Sequence, residues 1–468
     1  MSFANMHEVL RSGAGSFTPA VFAGQDLQCL IWRALDESDK WQQRHCTLEA
    51  PIVVSSVLAM SLFRALSISN VFKRVLEAVR GDQEASLVDI TPEAFYHARA
   101  RLGEEPLRLL AVSLAEQADP PPSFLGLIPC AMDGVSMLVP DTPENDREFG
   151  RPSASRGETA FPQMKGVGLL YTDTHQLRNC VWGPWNLSEL AAAEVLLPAL
   201  GPEHVVFLDR RYTKVDLWFA FADRGVHFVH RLSAAYKPKK LEQLGPGDWL
   251  LDVGRWVEIP PAERKGKEKR RWETRRLRLI VYQIGHNESV SLVTSLLDPV
   301  KYPALKIAHG YHIRWEIELS NDEIKTHLST VGHGTQHTTF RSKTPDGIRQ
   351  EAWGLVAAYN LLRSLMVEAG KIHNIPPLEI SFVETVEVVR MAWPRFETVG
   401  PRKQRRLYRR MLRDIADCRL DRPRRKRSAD RVVKVKMSKF QVKRSWHRSR
   451  HRDFAAELKL VDSGTNAA

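Results

Sequence analysis

The sequence predicts a mixed α/β fold, and two observations favour it. The first is a helical N-terminal region: residues 45–120 place apolar side chains at helical spacing, with Thr91 and Pro92 opening one helix and Gly103 ending it. The second follows the Pro-rich break at 118–123, where short apolar runs typical of strands begin to alternate with helical segments. Strands that first form hairpins and then alternate with helices predict a mixed sheet.

Five strands are predicted beyond this break, from short apolar runs bounded by turn residues or charges. They lie in 130–140, interpreted as two strands around a turn at Asp133-Gly134, and in 164–173, 204–211 and 226–232. The run 204–211 stays apolar until Asp209 and the arginines that follow, as expected of a central strand that is buried on both faces. Helices are predicted over 187–200 and 347–370.

Residues 236–302 differ in character and predict an all-β insertion, because their runs are rich in β-formers and are separated by Gly, Pro or charges. A dense basic segment at 263–278, interpreted as a loop, crosses this insertion and contains Trp272. A Trp among cations is able to stack on a nucleic-acid base. A Trp in a β domain is more often part of the core, so both interpretations stay open.

The net charge of +13 is concentrated near the end of the sequence. Residues 401–452 hold 22 Lys and Arg against four Asp, so the rest of the chain is slightly acidic. A basic segment on a near-neutral body favours a polyanionic partner, either nucleic acid or, as a weaker alternative, an anionic membrane surface. A segment that only keeps the protein soluble is the remaining interpretation.

Cysteine usage and hydropathy predict a soluble protein of the cytoplasm. The five cysteines include no C-x-x-C pair, which fits free thiols in a reducing compartment. The N-terminal residues lack the basic-then-apolar order of a signal peptide. The longest nearly apolar stretch, 51–63, is too short to span a bilayer, so no membrane partner is predicted.

Three carboxylates form a candidate metal site. Asp133 and Asp209 each follow an apolar strand, so neighbouring strands would bring both carboxylates to one edge of the sheet. Clustered carboxylates repel each other unless a cation neutralises them, and Glu318 lies on a later predicted helix that is able to pack along that edge. Three hard oxygen ligands suit Mg²⁺. Two such ions support phosphoryl transfer on a nucleic-acid backbone, because they activate a water or a 3′-hydroxyl and stabilise the leaving oxygen.

The segment 311–325, YHIRWEIELSNDEIK, gathers polar side chains onto one stripe of a predicted α-helix. At 100° per residue the stripe spans an arc of roughly 60°. Its members are Tyr311, Arg314, Glu318 and Lys325. Asp322 lies one turn after Glu318 on the same stripe and is the alternative metal ligand.

These four residues resemble the Y-(2)-R-(3)-E-(6)-K signature of the DDE transposases of bacterial insertion sequences, in the insertion element 4 group, and every spacing fits. The segments MDGVSMLVPDTPEN and VFLDRRY are similar to the two aspartate motifs of that family. The segment TPEAFYHARARLGEEPL is similar to its helical N-terminal domain. The resemblance covers about residues 45–370 and is specific, since the signature, both aspartate contexts and the chain order agree.

The resemblance implies an RNase H-like catalytic core that is interrupted by the β-rich insertion. It also implies that Asp133, Asp209 and Glu318 form a metal-binding triad for two Mg²⁺ ions, which Mn²⁺ is expected to replace. Tyr311, Arg314 and Lys325 are implied to contact the DNA strand near the scissile phosphate, through charge-assisted contacts and by bracing an extruded base. Further DNA contacts are predicted at Arg210, Arg270, Arg271 and Trp272.

The domains predicted on this basis divide the chain into five segments. They are a helical N-terminal DNA-binding domain at 1–121, a first core part at 122–235, the β-rich insertion at 236–302, a second core part at 303–372 and a basic C-terminal region at 373–468. Some of the cations in the last segment are predicted to contact phosphates without reading the DNA sequence.

The activity implied is that of a transposase that binds inverted repeats at the ends of its element. It would cut the element free through a DNA hairpin, transfer the strands to target DNA, and work as a homodimer that holds two ends. One departure from the family is Arg211, which stands where a glycine is usual. A catalytically silent DNA-binding protein is therefore the alternative, and a structure-specific nuclease with the same core is a third hypothesis.

Overall fold

The computed structural model describes residues 22, 26–42, 48–80, 91–117, 120–154, 157–233, 236, 238–264, 269–284, 289–328, 340–397, 399–421, 431–432, 449–450 and 457–462. The chain forms two compact units. Unit 1 comprises Met1–Pro120, Gly134–Ser188 and Glu316–Leu420, and unit 2 comprises Pro121–Asp133, Glu189–Trp315 and Asp421–Ala468.

The α-helices, in chain order, are α1 (Leu27–Glu37), α2 (Ala50–Leu62), α3 (Ile68–Arg80), α4 (Pro92–Leu102), α5 (Glu105–Glu116), α6 (Pro143–Phe149), α7 (Glu189–Leu196), α8 (Val215–Asp223), α9 (Ala304–Gly310), α10 (Trp315–Asp322), α11 (Pro345–His373), α12 (Phe382–Glu397) and α13 (Pro401–Asp417). Turns of 3₁₀-helix include Arg210–Tyr212 and Tyr311–Arg314, and a π-helix follows α10 at Glu323–Leu328.

The strands are β1 (Ile128–Leu138), β2 (Ser153–Ala154), β3 (Gly157–Glu158), β4 (Gln163–Tyr171), β5 (Leu177–Pro184), β6 (His204–Leu208), β7 (His227–Arg231), β8 (Lys240–Gly245), β9 (Asp248–Glu258), β10 (Arg270–Ile284), β11 (Val290–Thr294), β12 (Arg431–Val432), β13 (Ser449–Arg450) and β14 (Leu458–Leu460).

Unit 1 is built around the long helix α11, which contacts α2, α5 and α13, and around the antiparallel pair β4–β5. All residues of α2 are buried, and a Cβ added at Gly354 of α11 would lie 2.6 Å from Cγ1 of Val57. The two helices therefore pack at a separation that only glycine allows. Within the described part of the chain, no helix is both long enough and apolar enough to cross a membrane.

Unit 2 contains the first half of β1, followed in the sheet by β6 and β7, and these three strands run parallel. Strands β11, β10, β9 and β8 continue the sheet in antiparallel order, and β14 also pairs with β10. Its apolar core includes Val205, Phe207 and Ile280. At the buried pair of Arg278 and Asp248, Nε lies 2.7 Å from Oδ1 and Nη2 lies 2.6 Å from Oδ2, which ties β10 to β9 in fork-to-fork geometry.

The predicted mixed α/β fold and the helical N-terminal region are confirmed. Three local predictions are wrong. Residues 130–140 do not form two strands around a turn, because β1 runs unbroken through Asp133-Gly134. Strand β5 was not predicted, and the basic segment around Trp272 is part of β10, paired with β9, and not a loop. The five-segment domain division stays a prediction.

Candidate active site

Asp133 and Asp209 lie on neighbouring parallel strands of unit 2. Strands β1 and β6 pair in register up to Ala131 and Phe207, so the same register continued by two residues places Asp133 level with Asp209. Neighbouring strands lie about 4.8 Å apart, and side chains at equal level in a parallel pair point to the same face. Both residues are partly exposed. That these two carboxylates meet at one sheet edge stays a prediction.

The backbone around Asp209 is held from two sides. Oδ1 of Asp209 accepts a hydrogen bond from the backbone N–H of Arg211 at 2.6 Å, which caps the 3₁₀ turn that follows β6. The hydroxyl of Tyr311 donates to the carbonyl oxygen of Leu208 at 3.1 Å. Tyr311 is 4% exposed and its ring packs in the apolar core of unit 2. Burial raises the pKa of Tyr311 to about 12, and the hydroxyl therefore stays protonated as a donor.

Arg314 contributes a buried cation next to Asp133. Its Nη1 lies 3.7 Å from Oδ2 of Asp133, and the arginine is 8% exposed. A cation at this position offsets the repulsion between two carboxylates at the same level of the sheet. Tyr311 thus contacts the residue before Asp209, Arg314 contacts Asp133, and both signature side chains are buried.

Arg211, which departs from the family pattern, extends into solvent. Its side chain is 73% exposed and its Nη1 lies 3.5 Å from Oε1 of Glu189. The adjacent Tyr212 is fully buried, and burial together with Glu189, Asp133 and Asp209 raises its pKa well above the usual value. Among the described residues, the Tyr212 hydroxyl has no hydrogen-bond partner.

Glu318 and Lys325 belong to unit 1, and both side chains are exposed. The prediction that one uniform α-helix carries the whole stripe is wrong: the segment is 3₁₀ up to Arg314, α from Trp315 to Asp322, and π after that. Asp322, the alternative ligand, is also exposed, and its Oδ1 accepts a hydrogen bond from the Thr326 hydroxyl at 2.7 Å.

A buried network of charged side chains lies on the other side of this segment. Glu316 Oε2 lies 2.7 Å from Nε2 of His175, and Arg363 Nη2 lies 3.0 Å from His175 Nδ1. Arg363 also donates to Glu323, whose Oε2 accepts a second hydrogen bond from Tyr359 at 2.8 Å. Burial alone would raise the pKa of Glu323, but the charge of the adjacent Arg363 outweighs burial and holds that pKa well below its usual value.

Sequence reasoning did not single out this network. The sequence feature that could have indicated it is a Glu-Ile pair that recurs after seven residues. Glu316 and Glu323 each precede a buried isoleucine, so both glutamates occur where the segment faces the core. Their partner His175 lies in the short turn between β4 and β5, and no local pattern connects the two regions.

The β9–β10 hairpin of unit 2 exposes a pair of tryptophans. Trp256 and Trp272 are directly opposite in register, 64% and 53% exposed, with ring centroids 5.3 Å apart. Trp272 is therefore not a core residue. Arg270 and Arg271 beside it are exposed and each pairs with a glutamate of the hairpin, and Arg210 is exposed next to Asp209. Their contacts with DNA stay predictions.

The chemistry of the carboxylate pair fits a hard divalent cation. Asp133 and Asp209 offer oxygen ligands at one level of the sheet, and the Asp133 side chain is 19% exposed and thus accessible. Across the residues that the structure describes, no three His, Cys, Asp or Glu side chains are grouped as ligands. Glu318 as the third ligand stays a prediction.

Comparison with known proteins gives consistent matches. A family described as "Transposase DDE domain" matches residues 127–361, and one described as "Insertion element 4 transposase N-terminal" matches residues 26–111. Transposase InsG for insertion sequence element IS4 of Escherichia coli (strain K12) is 30% identical over 421 residues, which cover 88% of this chain and 91% of InsG. The putative transposase InsZ of the same organism is 25% identical over 220 residues, which cover 45% of this chain and 73% of InsZ. Among solved structures, a piggyBac transposase synaptic complex with hairpin DNA has a TM-score of 0.38 at 10% identity and covers 84% of this chain and 76% of that chain.

Proposed function

The chain belongs to the DDE transposases of the insertion element 4 group, enzymes that cut and transfer DNA strands, and we propose that its substrate is duplex DNA ending in inverted repeats. Asp133, Asp209 and Glu318 are proposed as the carboxylates of the reaction. The observation that supports the proposal is the parallel pairing of β1 and β6, which ends two residues before Asp133 and Asp209, together with the buried Arg314 beside Asp133.

The proposed cofactor is a pair of Mg²⁺ ions, for which Mn²⁺ substitutes. Asp133 and Asp209 would hold them, with Glu318 as a further ligand. When bound, such ions activate a water or a 3′-hydroxyl and stabilise the leaving oxygen. Arg314 supplies a positive charge next to Asp133. Tyr311 holds the end of β6 through its hydrogen bond to the Leu208 carbonyl oxygen.

The proposed DNA contacts lie at exposed cations and aromatic rings. Lys325 is exposed one residue past the buried Ile324, so its ammonium is accessible to a phosphate. The exposed Trp272, flanked by Arg270 and Arg271, offers a ring for an unpaired base. Tyr311 and Arg314 are buried, so their proposed role is to shape the strand ends under the DNA and not to stack on it.

Membership of the group also underlies two further parts of the proposal. Excision would proceed through a DNA hairpin, and a homodimer would hold the two element ends together. A bacterial DNA substrate and action in the cytoplasm are also part of the proposal. The alternative of a silent DNA-binding protein rests on Arg211, whose ion pair with Glu189 directs it to solvent and weakens that argument.

The test is a cleavage and strand-transfer assay with the wild-type protein. Duplexes that carry the DNA flanking the coding region are incubated with the protein in Mg²⁺, Mn²⁺ or EDTA, with scrambled-end duplexes as the control. We expect metal-dependent cuts at the end sequence and joined products with a second duplex. Binding without cleavage would establish the silent protein, and cleavage without joining would establish a nuclease.

A further inference from the structure

Helix α13 of unit 1 carries an exposed row of cations. Seven of its side chains between residues 402 and 413 are basic and all seven are exposed. At 100° per residue they fall within an arc of about 160° on one side of the helix. They are Arg402, Lys403, Arg405, Arg406, Arg409, Arg410 and Arg413, and we call this set the α13 basic face.

The opposite side of α13 is anchored in the protein. Met411, Leu412 and Ile415 are buried. The hydroxyl of Tyr408 donates to Oε2 of Glu368 in α11 at 2.6 Å, and the side chain of Gln404 donates to the carbonyl oxygen of Val399 at 3.1 Å. The cations are therefore presented by a packed helix and not by a solvated tail.

The α13 basic face leaves the helix with a positive charge, because α13 carries only Asp414 and Asp417 against the seven cations. Among the described residues, no carboxylate forms an ion pair with any of its seven members. Several of them stand three or four residues apart, where like charges on a helix repel, as Arg405 does with Arg409 and Arg406 with Arg410. Elsewhere on the surface of unit 1 the chain offsets such cations, as in the pair of Arg108 with Glu105. An external polyanion would relieve this repulsion.

We propose that the α13 basic face binds the phosphate backbone of duplex DNA without reading its sequence, as a surface additional to the residues of the reaction. The row from Arg402 to Arg413 is about 16 Å long. Over that length one strand of duplex DNA presents about five phosphates, at 3.4 Å each along the axis. The face contains only arginine and lysine, which position a duplex through phosphates. An anionic membrane is the less suitable partner, because a helix that binds a bilayer inserts its apolar side and the apolar side of α13 is buried.

The test uses the salt dependence of binding to a duplex of random sequence, measured by fluorescence anisotropy in EDTA. The variant replaces three central arginines of the face by glutamine, which keeps helix propensity. The substitutions are Arg406→Gln, Arg409→Gln and Arg413→Gln. The slope of log affinity against log salt is expected to become shallower by about 2.7, since each lost phosphate contact contributes about 0.9.

A matched control removes the same charge from arginines of unit 1 that are at least partly exposed and already pair with carboxylates. The control substitutions are Arg108→Gln, Arg349→Gln and Arg419→Gln. We expect the control to leave the slope within about 0.5 of the wild type. Equal slopes for the two variants, or a loss of binding to an RNA duplex or anionic vesicles without a loss on DNA, would overturn the proposal. Because EDTA prevents cleavage, this result is independent of whether the protein cuts DNA.

A different observation supports a second inference, which rests on the proposed function of Glu318. The network of His175, Glu316, Glu323 and Arg363 is buried, with none of the four more than 6% exposed. Glu316 lies two residues before Glu318, and Glu323 two residues before Lys325. Residues two apart on a helix point to nearly opposite sides, so fixing the buried glutamates directs the exposed side chains.

The geometry points to His175 and Arg363 as positioning residues for Glu318 and Lys325. Arg363 is only a donor, so Nδ1 of His175 accepts from it, and Nε2–H of the neutral ring donates to Glu316. His175 holds a left-handed backbone conformation with φ of 62°. Such strain in a non-glycine residue persists only where surrounding contacts hold the backbone in place. Here those contacts are the hydrogen bonds of the His175 ring with Glu316 and Arg363.

The test compares His175→Asn and Arg363→Lys with the control Arg349→Lys. Asparagine tolerates the left-handed conformation but is too short to reach Glu316, and lysine keeps the charge but lacks the planar fork. We expect single-turnover cleavage to fall roughly tenfold or more for the two network variants. Hydrogen exchange of the amides 315–328 is expected to accelerate, with affinity for DNA within about threefold.

Unchanged exchange in 315–328, or a loss of cleavage that only follows the fraction of unfolded protein, would refute the positioning role. A wild-type protein that does not cleave would instead refute the proposed function. In that case the exchange data report only on the anchoring of the segment, and the positioning inference falls with the function.

Discussion

Nη1 of the buried Arg314 lies 3.7 Å from Oδ2 of Asp133 in β1, and Asp209 directly follows the neighbouring parallel strand β6. Tyr311, three residues earlier, donates a hydrogen bond to the residue that precedes Asp209. Arg314 thus contacts β1 at Asp133, and Tyr311 contacts β6 at Leu208. Both signature residues therefore hold the backbone and charge around the two aspartates without any DNA bound.

Arg314→Gln is expected to lower single-turnover cleavage of end-containing DNA on the order of a hundredfold. The reason is that the two carboxylates lose the buried cation that offsets their repulsion. Arg314→Lys should retain part of the activity, since it keeps the charge without the planar fork. Activity of Arg314→Gln within threefold of the wild type would contradict the role assigned to the ion pair.

Arg211→Gly, which restores the residue usual in the family, is expected to leave cleavage within about threefold. The Arg211 side chain is 73% exposed and pairs with Glu189, and an exposed pair contributes little. A rise of tenfold or more in cleavage rate would show that Arg211 obstructs the reaction.

Tyr311→Phe is expected to destabilise the protein by about 1–2 kcal/mol, because the buried carbonyl of Leu208 loses its donor. Tyr212→Phe is the matched control: it removes a buried hydroxyl that has no partner among the described residues, so its effect should stay within about 0.5 kcal/mol. Urea unfolding of both variants measures the difference. A larger loss for Tyr212→Phe than for Tyr311→Phe would contradict the hydrogen-bond assignment.

The free energy of unfolding should fall as the pH is lowered, partly because the folded protein keeps His312 unprotonated. Burial first, and then the neighbouring His309, Arg314 and Arg231, lower the pKa of His312 from 6.5 to about 4. The unfolded chain therefore binds a proton between these two values while the folded chain does not. The free energy of unfolding is therefore not reduced by His312 above pH 6.5, and it falls progressively as the pH falls from 6.5 towards 4.

Urea unfolding at pH 7 and pH 5 tests this prediction. In His312→Gln the loss of stability between the two pH values should be smaller than in the wild type by up to about 2 kcal/mol, at about 1.4 kcal/mol per pH unit. His309→Gln removes one of the charges that lower the pKa of His312, so its pH dependence should lie between those of the wild type and His312→Gln. An equal pH dependence in His312→Gln and wild type would show that His312 is not held neutral.

Trp272→Ala is expected to weaken binding of single-stranded DNA by about 1–3 kcal/mol, the range for loss of one base-stacking ring. The exposed ring faces Trp256 across the hairpin and has no core to fill, so folding should be little affected. Anisotropy with a labelled oligonucleotide measures the affinity, and Trp185→Ala, at another partly exposed tryptophan, is the control. Equal affinities in both variants would contradict a stacking role.

The parts of the fold that the sequence could predict are those set by local pattern. The apolar run that ends at Asp209 and the uninterrupted helix after Pro345 carry their own signals. Gly134 suggested a turn at Asp133-Gly134, but β1 continues through both residues and pairs with β4 in the sheet. Strand β5 escaped prediction because Arg178, Asn179 and Trp182 hide its apolar alternation.

The candidate site was predictable to a similar extent. Spacing alone selected the four signature residues, since they lie on one continuous segment. The burial of Tyr311 and Arg314 was not predictable, because it depends on contacts with β1 and β6 that are distant in sequence. The switch to a π-helix at Glu323 has the same origin, since it coincides with the buried partners of that carboxylate.

Single-turnover cleavage by Asp209→Asn in Mg²⁺, on duplexes that carry the element ends, tests the central claim most directly. Asparagine keeps the size of the side chain and can still accept the Arg211 N–H, so the fold should be preserved. We predict a loss on the order of a thousandfold, about 4 kcal/mol in the barrier, with DNA affinity in EDTA unchanged. Cleavage within tenfold of the wild type would contradict the assignment of Asp209, and with it the carboxylate pair, to the reaction.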